Sequence, residues 1–365
     1  MKIRSIRLGM LSVPLKTPFK TAIRTVKEIE DVVVIIETDT GEKGYGSAPA
    51  TAVITGDTHG SIIEAISKVI SPVLIGRDIA GLNILTNIIQ NSIVRNFSAK
   101  AALEIAVYDL YGQLYNAPLY KLLGGGDSVL STDITISVDY IDKMVEDTRA
   151  AIDLGFETLK IKVGKDPALD IERIKAIYAA VNERALIRLD ANQGWTPKQT
   201  VSVMRTLENS GVQLELLEQP VRGDDIEGMK YVTERIHTPV MADESSFGPK
   251  EAIELIRERA ADIINIKLMK TGGISNAIKI ADIAGIYGIN CMIGCMLESS
   301  IGVAAAAHIA VAKSSIITKV DLDTPALGKY DPVTSGVIFD NSEIRITDLP
   351  GLGISKIDNL TMLDI

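Results

Sequence analysis

Three carboxylates in this chain each close a short apolar run: Asp190 in Leu189-Asp190-Ala191-Asn192, Glu218 in Leu217-Glu218-Gln219-Pro220, and Asp243 in Ala242-Asp243-Glu244-Ser245. A lone charge at a strand end is ordinarily solvated. Three delivered to one rim repel one another and protonate unless a cation sits among them. Their donors are all oxygen, with no His or Cys alongside, which suits a hard divalent ion and disfavours zinc. A small open site with room for water and substrate selects Mg2+ over Ca2+. Three unrelated surface ion pairs are the plain alternative. Lysines flank the triad in chain order: Lys160 and Lys162, two apart and so on the same face of a strand, and Lys267 further on. A carboxylate substrate held by the ion would have a lysine on each face of its α-carbon. A lysine beside a dication and a second ammonium has a lowered pKa, which brings it into the range of a general base. The dication stabilises the second negative charge that develops on the carboxylate as the α-proton leaves, and Lys160 adds its own charge there.

To converge, these residues need a scaffold that sends successive strand ends to one face. After Gly126, apolar runs recur at 134–138, 159–163, 186–189, 214–217, 240–242, 263–268, 291–293 and 316–320. Each of the first seven is followed by an amphipathic helical stretch, such as 169–181 or 251–259. The spacing is that of one strand-plus-helix unit, and eight such units close a parallel barrel whose chemistry gathers at the C-terminal strand ends. A doubly wound sheet is the alternative, but no glycine-rich dinucleotide fingerprint follows an early strand. Ahead of the repeat, strands are predicted at 3–13, at 32–37 and around Tyr45, with a turn at Asp39-Thr40-Gly41-Glu42 and a long connection at 14–25. From Asp57 to about Gly112 the pattern is helical, with Ile62, Ile63, Ile66, Val69 and Ile70 at spacings of three and four. Gly124-Gly125-Gly126-Asp127 then breaks it, and with no Lys-Ser/Thr following it reads as a linker rather than a phosphate loop.

The bulk properties fit an enzyme of this size. The 365 residues exceed one ordinary domain, 46% are apolar, and aromatics at 4% leave Ile, Leu, Val and Ala to fill the core. A net charge of −9 argues against nucleic acid and anionic membranes as partners. It leaves an anionic small-molecule substrate open, because a bound cation reverses the local field. The first ten residues hold three basic side chains and no apolar run, so no secretion signal is expected. The most apolar stretch, 289–312, contains Asn290, Glu298, Ser299, Ser300 and His308, and reads as a buried strand followed by an Ala-rich helix rather than a membrane span. Two cysteines, Cys291 and Cys295, are too few for a disulfide framework and are expected as small buried residues in a cytoplasmic protein. A homo-oligomer is compatible with all of this.

The motifs Lys160-Ile161-Lys162, Asp190-Ala191-Asn192, Glu218-Gln219-Pro220, Asp243-Glu244 and Lys267 resemble those of the enolase superfamily, muconate-lactonizing branch. The stretch from Ala101 through Leu110, followed by Pro118-Leu119-Tyr120-Lys121-Leu122-Leu123-Gly124-Gly125, resembles the same family's capping domain. The resemblance covers nearly the whole chain. It implies an α/β fold, a modified (β/α)8 TIM barrel of (β/α)7β type with an N-terminal α+β capping domain. The cap would comprise 1–125 and carry specificity loops, the barrel 126–345, and 346–365 would return to the cap. It implies Mg2+ on Asp190, Glu218 and Asp243, with Asn192 and Glu244 behind them, and Lys162 and Lys267 as the two bases assisted by Lys160.

Within that family a histidine base late in the barrel would mark the mandelate racemase branch. His59, His237 and His308 stand at no predicted strand end, which removes it. Cycloisomerases, succinylbenzoate synthases, acylamino acid racemases and dipeptide epimerases share the lysine pair. Asp321-Leu322-Asp323 separates them: two carboxylates on one face at the end of run eight suit a free α-ammonium. This resembles the pair with which dipeptide epimerases grip the substrate N-terminus; a turn-capping Asp323 is the alternative. The expected reaction is Mg2+-dependent epimerization of an L,L-dipeptide at its C-terminal residue through an enediolate. Thr135, Cys295, Met296 and Glu298 are expected to line the pocket, although Glu298 equally suits a structural ion pair. Specificity is expected in the loops 14–25 and 51–57. Phe19, Ile23, Val53 and Ile54 lean towards a hydrophobic or aromatic C-terminal residue, whereas Arg24 would suit an acidic one, as in the L-Ala-D/L-Glu epimerases of cell-wall recycling. A muconate-type cycloisomerase or o-succinylbenzoate synthase, and a metal-binding barrel without turnover, are the remaining alternatives.

Overall fold

β-Branched and alternating residues at the start of the chain build three antiparallel strands, Ile3–Lys20, Thr25–Thr38 and Lys43–Pro49, in a computed structural model that describes residues 1–21 and 24–364. The connection expected at 14–25 is mostly strand. The ladder is irregular after Pro14, which has no N–H to give, then resumes with Phe19 opposite Val26 and Lys20 opposite Thr25. This extension carries the tip of the ribbon onto the barrel, where Val138 N donates to Lys20 O at 3.3 Å and Lys20 Nζ pairs with Asp139 at 2.5 Å. Helix Phe97–Leu114 is buried along most of its length. It lies against strand Lys43–Pro49 so closely that a methyl at Gly46 would collide with the Ala102 carbonyl.

The barrel strands are Ile134–Ile136, Thr158–Lys162, Leu186–Asp190, Leu216–Glu218, Val240–Ala242, Ile263–Lys267, Asn290–Gly294 and Ile317–Asp321. Each pairs in parallel with the next in chain order, which excludes the doubly wound alternative. Each of the first seven strands is followed by a helix, and the sixth by two, Leu268–Thr271 and Ile274–Ile286. Several start as their sequences dictate, with Pro167 and Pro197 in the first turn and Asp166 or Thr196 capping the free backbone N–H groups. After the eighth strand only the short Thr324–Leu327 turn is helical, before the chain leaves in strands, so the barrel is of (β/α)7β type. The last strands pair Glu343–Ile346 with Val129–Ser131, and Thr361–Met362 with the first strand of the cap.

Strands eight and one share no ladder; they meet through Asp133 N to Val320 O at 3.5 Å, Leu322 N to Thr132 Oγ1 at 2.8 Å and Thr135 N to Asp323 Oδ2 at 2.7 Å. The stretch 289–312 resolves into strand Asn290–Gly294 and helix Ser300–Ala312, and no helix among the described residues is long and apolar enough to cross a membrane. Cys291 is a core residue; Cys295 lies just beyond the strand end, its Sγ 3.2 Å from Thr324 Oγ1.

His308 is buried in helix Ser300–Ala312, where its Nδ1 accepts from Tyr120 N at 3.0 Å. Burial pushes its pKa down to about 3. Below about pH 6.5 the unfolded chain therefore takes up a proton that the folded protein refuses, and stability falls with acid by at most about 1.4 kcal/mol per pH unit. Asn at this position keeps an acceptor near Nδ1 but does not titrate. Thermal melts should show a shallower loss of Tm between about pH 6.5 and 4.5 for His308→Asn than for the parent; parallel profiles would refute the assignment.

Candidate active site

Strand register brings the chemistry-bearing residues into rows. Lys162 pairs across the ladder with Asp190, and Asp190 with Glu218; Asp243 lies two residues beyond Met241, the partner of Glu218. On the other side Lys267 pairs with Gly294, and Gly294 with Asp321. The missing side chain at Gly294 matters, because a Cβ there would sit 3.0 Å from Lys267 Cε and 2.8 Å from Asn265 Oδ1.

The charges interlock. Lys160 Nζ lies 2.6 Å from Asp321, 2.7 Å from Glu218 and 3.1 Å from Asp190. Lys162 Nζ is 2.6 Å from Asp190, and Lys267 Nζ is 2.7 Å from Asp243. Burial opposes the charge on Lys160, but Asp321, Glu218 and Asp190 outweigh it and hold its pKa well above the ordinary lysine range. Burial likewise opposes Lys267, and Asp243 draws it up. The lowered lysine pKa expected from the sequence rests on a dication; the protein's own carboxylates push the other way. Burial pushes Glu218 up to about 7, with Asp190 adding to the shift. Asp243 and Asp321, both buried, are nevertheless held below the usual carboxylate range by their lysines.

Side chains that sequence reasoning missed hold this cluster in place. Lys270, fully buried, reaches Asp243 Oδ1 at 2.5 Å as well as its backbone carbonyl. Asn265 Nδ2 donates to Glu218 Oε1 at 2.8 Å. Gln219 Oε1 accepts from Asp243 N at 2.9 Å and Ser245 N at 3.1 Å. Gln219 itself has φ +33, in the left-handed region that a non-glycine residue occupies only when its surroundings hold it there. Its signal lay in the Glu-Gln-Pro motif, and that of Lys270 in its three-residue offset from Lys267. Asn192 Nδ2 donates to Glu244 Oε1 at 3.3 Å, and burial with Asp243 nearby pushes Glu244 up to about 8.

Above the cluster lies a chamber of about 50 Å3, lined by Phe19, Arg24 and Ile54 from the cap and by Thr135, Lys160, Lys162, Asn192, Lys267, Cys295, Met296, Asp321 and Asp323 from the barrel. Lys162 Nζ sits 5.9 Å from the centre of the Phe19 ring. The Arg24 guanidinium has no hydrogen-bond or ion-pair partner among the described residues. Asp323 accepts from Thr135 N while facing the chamber, so its carboxylate is more than a turn cap. Glu298, expected in the lining, is outside it. Its Oε1 folds back onto Met296 N at 2.8 Å, and burial with Asp31 nearby pushes it up to about 8. It pairs with no cation among the described residues, so the ion-pair alternative fails too. Val53 is 55% exposed and does not line the chamber, and Ile23 falls outside the described residues.

No group of three His, Cys, Asp or Glu among the described residues is arranged as a finished metal site. The donor set nonetheless fits a hard dication. It is all oxygen and anionic, and it already surrounds a cationic stand-in, the Lys160 ammonium, which touches two of the three carboxylates at 3.1 Å or less.

Comparison with known proteins bears on the same residues. Residues 5–124 match the family model described as "Mandelate racemase / muconate lactonizing enzyme, N-terminal domain", and residues 143–358 that described as "Enolase C-terminal domain-like". The chain belongs to this family. Among its relatives, an L-Ala-D/L-Glu epimerase of Clostridium acetobutylicum is 53% identical over 98% of this chain and 100% of its own. The substrate-liganded L-Ala-D/L-Glu epimerase from Bacillus subtilis superposes with a TM-score of 0.96 at 47% identity, over 98% of this chain and 99% of that one. The dipeptide epimerase from Enterococcus faecalis, complexed with Mg and the dipeptide L-Leu-L-Tyr, gives 0.94 at 42% identity, over 97% and 100%. Mg2+ accompanies the dipeptide in that Enterococcus faecalis complex. Adding Mg2+ at a hundredfold excess over its Kd to EDTA-treated protein should contribute about 2.7 kcal/mol, a rise of a few degrees in Tm, and Glu218→Gln should abolish most of that rise. An equal rise in the variant would remove Glu218 from the ion's surroundings.

Proposed function

We propose that this protein is a Mg2+-dependent dipeptide epimerase, inverting the α-carbon of the C-terminal residue of an L,L-dipeptide. As an isomerase of amino acid derivatives it resembles its relatives in reaction as well as fold. The observation that carries the reading is the placement of Lys162 and Lys267, from the second and sixth strands, on one small chamber that also receives Asp321 and Asp323. Asp190, Glu218 and Asp243 are the residues that would hold the ion. Mg2+, when bound, stabilises the second negative charge that develops on the substrate carboxylate as the α-proton leaves.

The rest is done by the chain. One lysine takes the α-proton, and the other returns a proton to the opposite face of the enediolate. Lys160, held between strands two, three, four and eight, keeps a fixed positive charge beside the developing anion. Asp321 and Asp323 accept the substrate ammonium, a group that muconate and succinylbenzoate precursors lack.

Phe19 and Ile54 are the apolar walls that suit a hydrophobic or aromatic C-terminal residue. A second reading, an acidic C-terminal residue as in L-Ala-L-Glu, is favoured by Arg24. Burial lowers its pKa, and it reaches the chamber with no carboxylate of its own.

Pooled L,L-dipeptides incubated with the protein and Mg2+ in D2O should gain one dalton, and EDTA should abolish the gain. Lys162→Ala and Lys267→Ala should each slow epimerization by about 10²–10⁴-fold. Asp323→Asn, which leaves the Lys160–Asp321 pair intact, should sharply lower kcat/KM for the dipeptide, whereas a cycloisomerase would tolerate that change. An unlabelled pool would sink the dipeptide assignment. Arg24→Met separates the two side-chain readings: a loss of about tenfold or more in kcat/KM for L-Ala-L-Glu with L-Leu-L-Tyr unaffected supports the acidic one, and equal rates on both substrates reject it.

A further inference from the structure

The seam between the eighth and first strands is the one place in the barrel sheet where neighbouring strands share no ladder among the described residues. Its single backbone bond, Asp133 N to Val320 O, is long at 3.5 Å. Side chains supply the rest: Thr132 Oγ1 accepts from Leu322 N, and Asp323 accepts from Thr135 N. Both residues of the pair that faces the substrate ammonium therefore sit on the weakest join of the barrel.

Arg188, buried inside the barrel on the third strand, spans that join. Its Nη1 donates to Asp133 Oδ2, at the entry to the first strand, at 2.7 Å and to Val320 O on the eighth at 3.0 Å. Its Nε lies 2.5 Å from Glu215, which Lys319 also pairs. Val320 directly precedes Asp321, and Asp133 is two residues from Thr135, the anchor of Asp323. The fork of a guanidinium can hold a carboxylate, a carbonyl and a second carboxylate in one plane; an ammonium is a point charge that serves fewer fixed directions.

We propose that Arg188 is a positioning residue that fastens strand eight to strand one and so fixes Asp321 and Asp323 at the spacing that grips the substrate ammonium. The functional part of this rests on the dipeptide reading above; the fastening does not.

Arg188→Lys keeps a cation for Asp133 but cannot serve Val320 and Glu215 as well. Hydrogen exchange of the substrate-free protein reads the join directly. The Thr135 and Leu322 amides should lose about tenfold or more in protection while amides of strands three to six keep theirs. In kinetics the variant should raise KM for the dipeptide about fivefold or more with kcat little changed. Its preference for a free over an N-acetylated dipeptide should fall by a similar factor, which a merely structural loss would not produce. Should Arg188→Lys fail to fold, Thr132→Val, which removes a different bond across the same seam, should give the same exchange and the same fall in preference. Unchanged protection would overturn the fastening whatever the substrate is. Lost protection with unchanged discrimination would overturn its link to the ammonium. A parent enzyme that labels no dipeptide would remove the functional half and leave the exchange result standing.

Discussion

Everything in the barrel mouth depends on charge compensation away from water. Lys160, Lys162, Lys267 and Lys270 face Asp190, Glu218, Asp243 and Asp321, and every one of these side chains is almost wholly buried. Removing one member of such a buried pair costs about 3–5 kcal/mol, because its partner is left as an uncompensated charge. The cluster is therefore held at fixed geometry by its own electrostatics. A site that must move a proton across an α-carbon gains from this, since groups that are already oriented need no reorganisation as charge develops.

The compensation also dictates the surroundings. Gln219, Asn265 and Lys270 do not line the chamber, yet they hold Asp243 and Glu218 through backbone and side-chain bonds. Gly294 leaves the space through which Lys267 reaches inward. The cap completes the enclosure: the ribbon of its first two strands docks on Val138 and Asp139 and lays Phe19 over Lys162. Exclusion of water from the mouth is thus shared between two parts of the chain distant in sequence.

Much of this was legible in the residues. Strand endings at Lys162, Asp190, Glu218 and Asp243 could be read because a parallel barrel repeats one local pattern, an apolar run closed by a polar residue and followed by an amphipathic helix. The ribbon at 14–20 was hidden by Pro14 and Pro18, which signal a loop locally but are accommodated here by the irregular register between Pro14 and Phe19. Glu298 was misplaced for a related reason. A carboxylate next to a strand end has the right address for the pocket, and only the fold-back onto Met296 N shows that it turns away.

The sequence by itself determined the barrel, the order of its strands, the identity of the charged residues and the class of chemistry they serve. These follow from periodicity and residue type, which are local properties of the chain. The tertiary structure alone decided which ammonium meets which carboxylate, how the seam between strands eight and one is joined, and which cap residues reach the chamber. Those contacts join residues as far apart as Lys160 and Asp321 or Phe19 and Lys162. No local pattern encodes such a pairing, because its energy depends on distance and burial that exist only once the chain is folded.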